Sequence, residues 1–444
     1  MAEKLIKLCE EKCLKGTVLS RDEIIALLEI PVGSPEDQGL REAARRTASR
    51  VALGKGYIWC AIGMDYAPCA MNCKFCSFGE KWGLIEQSRH MTEEEIFEYV
   101  HGYVAAGASY IVLRTTEFYS LDALLELVPH IRREIPGNYE IILNTGELDF
   151  VTANRVAAAD VYGVYHSLRL REGTDTPFSP EKRRYSMNSI TDAQMSLISL
   201  VEPLGPEHSA QEIADCFLNA VSCGTKICGA MARFPVKGTP LGDGIPMVDE
   251  SYLAHVIAAL RLSGGNTVRD ICVHPASQEA VSSGANVVVV ESGAVPRDAE
   301  FTEKDRAERD IQHARELLEK GGYQLSSPPA QNTKRRKCAC QGGNLEKFMQ
   351  PIILNILSQG AQTGYAVQKQ MGEYATYQHA IPDMAATYRF LNIMKQRGLV
   401  HHDGTVYAIT DAGSNCLDDW RKTLKEYAST LTCLIGQLET SPGA

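Results

Sequence analysis

The sequence predicts a (β/α)8 barrel of the TIM type, preceded by helices and followed by a small winged helix-turn-helix domain. Three observations predict it. Eight short β-rich segments alternate with amphipathic helical segments over roughly 240 residues, which suits a closed barrel better than an open sheet. A stretch rich in Pro, Ser and Gly then interrupts the alternation. Beyond it, three helical segments, a short hairpin and one long helix form a separate unit.

A chain of 444 residues allows two or three domains. The pattern divides it into a helical leader over 1–50, the barrel over 51–325, a linker over 326–344 and the small unit over 345–444. With 44% hydrophobic and 23% charged residues it has ample material for a core. The net charge of −10 leaves no whole-chain basic field for nucleic acid or an anionic membrane. The first residues mix Lys and Glu without an apolar core, so a signal peptide is not expected. Apolar runs are too short for a membrane span. Fourteen cysteines without export signals point to a reducing cytoplasm and metal chemistry rather than a disulfide framework.

In the leader, Leu5, Leu8 and Leu14 recur at roughly helical spacing, and Ser20 with Glu23 matches a capping box. Cys9 and Cys13 lie four apart and share a helix face. The predicted strands are Tyr57–Gly63, Tyr110–Thr115, Tyr139–Thr145, Val161–Leu168, Ser196–Glu202, Ile227–Phe234, Asp270–His274 and Asn286–Glu291. Helices between them include Thr92–Ala105, Leu121–Glu134, Ala210–Ser222 and Glu250–Leu262, and Thr174–Ser189 reads as irregular. A charged helix, Phe301–Gly322, follows the last strand, and the linker carries Lys334–Lys337 before Cys338 and Cys340. In the small unit, Leu345–Leu357, Thr363–Tyr374 and Met384–Arg397 are predicted helices, with Gly398 placed to end the third. Val400–Thr410 turns at Asp403-Gly404 as a two-stranded wing, and a helix over about 413–438 closes the unit.

The chemistry centres on Cys69-Ala-Met-Asn-Cys73-Lys-Phe-Cys76, just after the first strand. Barrel chemistry sits at the C-terminal ends of strands, so the loop stands where a site is expected. Three thiolates reach three corners of a 4Fe–4S cluster and leave one iron open. A structural zinc site needs a fourth nearby ligand, and the next histidine, His90, is not at zinc-finger spacing. The triad, with Phe75 before its last cysteine, resembles the signature of the radical S-adenosylmethionine enzymes. Over about residues 50–322 the chain resembles the biotin-synthase branch of that family, which also includes hydrogenase-maturase and methylornithine-synthase relatives.

That resemblance implies a set of S-adenosylmethionine contacts. Thr115, Thr116 and Glu117 after the second strand would bind its amino group. Arg171 and Glu172, in Leu168–Asp175, would clasp its carboxylate and amine, the charge-assisted pairing such groups need. Glu202 and Gly205 would approach the adenine, Gly238–Leu241 echoes a biotin-synthase stretch, and Asn144 would line the cavity. The implied reaction is reductive cleavage of S-adenosylmethionine to a 5′-deoxyadenosyl radical, which removes hydrogen from an unactivated C–H bond. An electron donor such as flavodoxin or ferredoxin is implied as a partner. The fate of the substrate radical is open between sulfur insertion, as in biotin or lipoate synthesis, and radical rearrangement or methylation. Sulfur insertion would favour a second cluster, for which Cys9, Cys13, Cys338 and Cys340 offer four thiolates; ordinary or zinc-binding thiols are the alternative. The strands lack the cysteines that hold the sulfur-donating 2Fe–2S cluster of biotin synthases, and offer Cys272 and His274 instead. Cys60, Cys216, Cys223, Cys228 and Cys272 read as core residues, with Cys60 and Cys272 candidates to face the cavity.

The C-terminal unit resembles PadR-type regulators through Ala386–Leu391, Lys395–Val400 and Tyr407–Gly413. Its third helix would read DNA with Thr387, Tyr388, Arg389 and Asn392, and its last helix would form a homodimer. Against this, residues 345–444 hold eight Lys/Arg and nine Asp/Glu, not the usual basic footprint. Docking of a protein partner is the other expectation. A DNA-binding regulator whose barrel senses iron or S-adenosylmethionine is the rival function.

Overall fold

The computed structural model describes residues 2–294, 303–328, 348–374 and 384–440. It divides into two compact units, Met1–Pro329 and Ala330–Ala444. The linker stretch with Cys338 and Cys340 lies outside the described residues.

The first unit opens with α1 (Ala2–Leu14), α2 (Arg21–Leu28) and α3 (Pro35–Val51). Ser20 and Glu23 form the expected capping box at α2, and Ser34 caps α3 ahead of Pro35. Each device satisfies amide groups that a helix start leaves without acceptors. The α1 face carrying Ile6, Cys9 and Cys13 is buried, because an amphipathic helix gains stability by covering its apolar stripe. These helices pack on one another and on the barrel helix Glu250–Ser263.

Eight parallel strands then close into a barrel: β1 (Lys55–Gly63), β2 (Tyr110–Arg114), β3 (Glu140–Asn144), β4 (Gly163–Tyr165), β5 (Ser196–Ile198, resuming as Val201–Leu204), β6 (Ile227–Ala232), β7 (Asp270–His274) and β8 (Val287–Gly293). Pairing runs from β1 through β8, and β8 returns to β1, so the sheet has no open edge. Outside it lie α4 (Glu93–Ala105), α5 (Leu121–Glu134), α6 (Phe150–Ala158), α7 (Pro180–Asp192), α8 (Ala210–Ser222), α9 (Glu250–Ser263), α10 (Gln278–Ser282) and α11 (Glu303–Lys320). All eight expected strands are present. The segment read as irregular holds most of α7, started by the Ser179 cap and Pro180.

Side chains alternate across each strand. Tyr57, Trp59 and Ala61 of β1 point into the barrel with Tyr110, Val112, Ile142, Tyr165, Ile227 and Cys272. Ile58, Cys60 and Ile62 point outward into the helix layer. Of the two cysteines expected to face the cavity, Cys272 does and Cys60 does not; strand parity decides both.

The second unit contains α12 (Met349–Leu357), α13 (Gly364–Met371), α14 (Met384–Gln396), an antiparallel pair β9 (Val400–His402) and β10 (Tyr407–Ile409), and α15 (Asp411–Thr440). Gly398 has φ +68°, the left-handed conformation that ends a helix with little strain. Asp403 accepts the amides of Thr405 and Val406 at 2.8 and 2.9 Å, and Gly404 (φ +102°) completes the turn. Ile353, Leu354, Val367, Met371, Leu391 and Met394 form the core. No helix among the described residues is long and apolar enough to cross a membrane.

Candidate active site at the barrel mouth

The cysteine loop is held by backbone bonds rather than regular structure. Cys69 N donates to Phe78 O at 2.6 Å, Glu80 N to Cys69 O at 3.1 Å and Cys76 N to Cys73 O at 3.0 Å. Asn72, with φ +49°, turns the chain back and accepts Lys81 N on its side-chain oxygen at 2.8 Å. An Asn tolerates that left-handed position better than a branched residue.

Two further strand ends hold the loop. Lys74 N donates to Asp175 O, and Lys74 Nζ to Asp175 Oδ1, both at 2.9 Å. Leu241 N donates to Lys74 O at 3.0 Å, so the segment after β6 is tied in as well. The loop after β1 is thereby fixed to the segments after β4 and β6.

Cys73 is buried, while Cys69 and Cys76 are partly exposed. Burial pushes the Cys73 thiol up to about 12; Arg169 pulls it down, and Cys76 and Cys69 oppose its ionisation. Among the described residues no three His, Cys, Asp or Glu close on a single metal ion. A 4Fe–4S cluster spreads its thiolates over separate irons, so three thiols around one loop suit it better than a mononuclear ion. A cationic iron centre would also relieve the mutual opposition of the three sulfurs. The donor set therefore fits the cluster.

Beside Cys73 lies a charged network at the ends of β4 and β5. Tyr165 donates its hydroxyl to the buried Glu202 carboxylate. Arg169 approaches Glu202 at 3.9 Å and Glu172 at 3.7 Å. Burial disfavours charge on Arg169, but Glu172, Glu202 and Cys73 outweigh it and hold the guanidinium protonated. Burial raises the Glu202 carboxyl above its ordinary value against the pull of Arg169. Glu172 accepts Arg169 N and the Thr176 hydroxyl, both at 2.8 Å. Arg183 of α7 stacks over Phe178 at 4.3 Å and lies 3.2 Å from His166 Nε2. Burial, then Arg183 and Arg169, push His166 well below its usual value, so it is a neutral acceptor.

The expected contact residues divide. Glu172 and Glu202 both approach Arg169, at 3.7 and 3.9 Å. Thr116 N donates to the buried Asp65 at 2.8 Å, while the Thr115 hydroxyl lies 3.3 Å from that of Thr145. Glu117 stands against Gly146, whose added Cβ would meet Glu117 O at 3.2 Å. Asn144 ends β3, its carbonyl accepting Thr115 N at 2.9 Å. At Gly205, a Cβ would strike the Arg233 guanidinium at 2.5 Å, so glycine makes room for the Arg233–Glu207 pair. Arg171 turns away: with φ +55° it donates to Glu212 of α8 at 2.6 Å and to Glu207 O at 2.9 Å. Arg169, two residues earlier, occupies the interior instead. Arg169, Arg183, Tyr165 and Asp65 were not singled out from sequence; the inward parity of Gly163 and Tyr165, extended to 169, was the available signal.

Cys9 is fully buried and Cys13 nearly so, with Cys13 Sγ 3.5 Å from Arg261 O. Burial pushes Cys9 up to about 11. In the second unit Thr387 is buried and faces that unit's core, whereas Tyr388 and Asn392 are exposed. The Arg389 side chain lies outside what is described.

No protein-family profile matches the chain, and no curated protein sequence matches it. Solved structures do. Methylornithine synthase (PylB) is 19% identical with a TM-score of 0.59, over 73% of this chain and 98% of that one. The [FeFe]-hydrogenase maturase HydG is 14% identical with a TM-score of 0.63, over 91% of this chain and 95% of that one. HydG from Carboxydothermus hydrogenoformans is 15% identical with a TM-score of 0.57, over 89% and 95%. At these identities the likeness is one of fold.

Proposed function

We propose that the chain is a radical S-adenosylmethionine enzyme acting on an unactivated C–H bond. The observation that carries this is the Cys69–Cys73–Cys76 loop, tied across the barrel mouth with Cys73 beside Arg169. The likeness in fold to a methylornithine synthase and a hydrogenase maturase, the two kinds of relative that the segment Leu168–Asp175 resembles, supports the reading.

When bound, a 4Fe–4S cluster would supply one electron to S-adenosylmethionine, giving methionine and the 5′-deoxyadenosyl radical. The chain's own part is binding, orientation and exclusion of water. Cys69, Cys73 and Cys76 would hold three irons. Arg169, kept charged by Glu172 and Glu202, would take the ligand's carboxylate, and Glu117 the ammonium, as charge-assisted bonds require. Arg171 is engaged by Glu212 and is not given that role. The Lys74–Asp175 pair and the Leu241 amide would close the loop over the chamber.

The fate of the substrate radical is left open between sulfur insertion and radical rearrangement or methylation. Cys9 and Cys13 are enclosed by leader packing, so a second cluster on them would require α1 to move. Substituting Cys73 by Ala tests the central assignment: reconstituted protein should lose most of its iron and colour. A variant that keeps both would overturn it.

A second reading concerns the C-terminal unit, whose three helices, hairpin and long helix suit a winged helix-turn-helix of PadR type. Tyr388 and Asn392 on the exposed face of α14 would contact DNA, and α15 would pair with a second copy. Retardation of the protein's own promoter fragment, lost on Asn392→Ala, supports this. Equal retardation of random DNA removes it.

A further inference from the structure

One tryptophan beside the cysteine loop holds a donor that nothing receives. Trp82 closes a single tight turn, Glu80–Trp82, shortly after Cys76. The turn is tied to the loop. Gly79 pairs with Cys69 in an isolated bridge, and Glu80 N donates to Cys69 O at 3.1 Å. Trp82 N donates to Gly79 O at 3.0 Å, and Lys81 N to the Asn72 side chain at 2.8 Å. Leu84 then packs on Gly238 of the segment after β6, where an added Cβ would meet it at 3.2 Å.

The indole lies on Gly79. A Cβ there would overlap Trp82 Nε1 and Cδ1 and meet Cε2 at 3.0 Å. Gly79 has φ −55° and ψ 121°, which any residue adopts, so the glycine admits the ring rather than shaping a turn. The N–H edge is thus set against the backbone that follows Cys76 and pairs with Cys69. Trp82 Nε1 is buried and makes no hydrogen bond. An indole nitrogen is a donor only, and burying it unpaired is costly. Thiol sulfur is a weak acceptor. The thiolates and sulfides of a cluster carry negative charge and accept more strongly.

We propose that the Trp82 indole N–H donates to a sulfur of the cluster held by Cys69, Cys73 and Cys76, and that this bond favours the reduced cluster. The bond presupposes the cluster of the proposed function, rests on that reading, and adds the residue that sets its potential. Hydrogen bonds to cluster sulfurs and exposure to solvent both tune such potentials. Reduction adds one negative charge, so a fixed donor stabilises the reduced form more than the oxidised one. The two influences separate by sign. Losing the donor lowers the potential, whereas admitting water raises it.

The test uses the full chain, reconstituted anaerobically with iron and sulfide and kept free of S-adenosylmethionine. The potential is read by a redox titration followed by EPR, with iron counted per chain. Trp82→Phe removes the N–H and keeps an aromatic ring. Gly79→Ala keeps the indole and displaces it. Each should favour the oxidised form about tenfold, which is about 59 mV lower for a one-electron couple, with iron per chain unchanged. Should Trp82→Phe load poorly, Gly79→Ala decides. A potential left in place or raised at full iron overturns the proposal. So does an unchanged potential with weakened S-adenosylmethionine binding, which would assign the N–H to that ligand. Deoxyadenosine formation by the unsubstituted chain is read separately. Its presence with an unmoved potential removes only this inference. Its absence with a lowered potential in the variants removes the radical reading and leaves a tuned cluster. An unsubstituted chain that takes up no iron removes both.

Discussion

Two groups of cysteines in this molecule show what spacing says and what it leaves out. Cys9 and Cys13 lie four apart on α1 and are enclosed by packing. Cys69, Cys73 and Cys76 follow a barrel strand, in a loop braced by backbone hydrogen bonds. On a helix the i, i+4 spacing is also the spacing of a buried stripe, so a small apolar-tolerant thiol there is explained by packing alone. In a loop no such periodic demand exists, and three thiols within eight residues require another reason. The same side chain is core in one place and a candidate ligand in the other.

Breaking that comparison begins with the largest effect. Cys73→Ala should remove deoxyadenosine formation to background, read by chromatography, whereas Cys9→Ala with Cys13→Ala should leave iron per chain unchanged. The leader pair should instead cost about 1 kcal/mol per site in urea unfolding, the scale of a buried group removed from a packed helix. Iron loss from the leader variant would place a cluster there after all.

The two arginines after β4 sharpen the same lesson. Arg169→Ala should weaken S-adenosylmethionine binding to the reconstituted protein by about 10- to 100-fold, as expected for a charge-assisted contact. Arg171→Ala should leave that affinity within about twofold. Its effect is on stability and is smaller. The hydrogen bond from Arg171 holds Glu212 down to about 2, against an unfolded value of ~4.3. The pair therefore stabilises the fold above the unfolded value, and that contribution is lost as pH falls through the folded one. With both side chains one-third exposed, the difference should stay under about 1 kcal/mol at neutral pH and vanish towards pH ~2. Denaturant titrations of the two proteins at several pH values check it.

Much of the fold was legible because it repeats. α5 and α8 match their expected bounds, and β7 does as well, since hydrophobic period and caps set them locally. β4 is shorter than expected, and β5 is interrupted at Ser199-Leu200, resumes pairing with β6 at Val201 and shifts register before Leu204. The site was legible in its cysteines and strand ends but not in its geometry. Arg171 reads like Arg169 in sequence; only the left-handed turn at 171 sends one outward. His274 comes level with Trp59 only through register between β7, β8 and β1, which local pattern does not encode.

The most direct measurement is anaerobic. The full chain is reconstituted with iron and sulfide, reduced with dithionite, and given S-adenosylmethionine while 5′-deoxyadenosine and iron per chain are determined. The account predicts deoxyadenosine from protein holding about four irons, one cluster on the three-cysteine loop. A fully loaded cluster that yields no deoxyadenosine would contradict it.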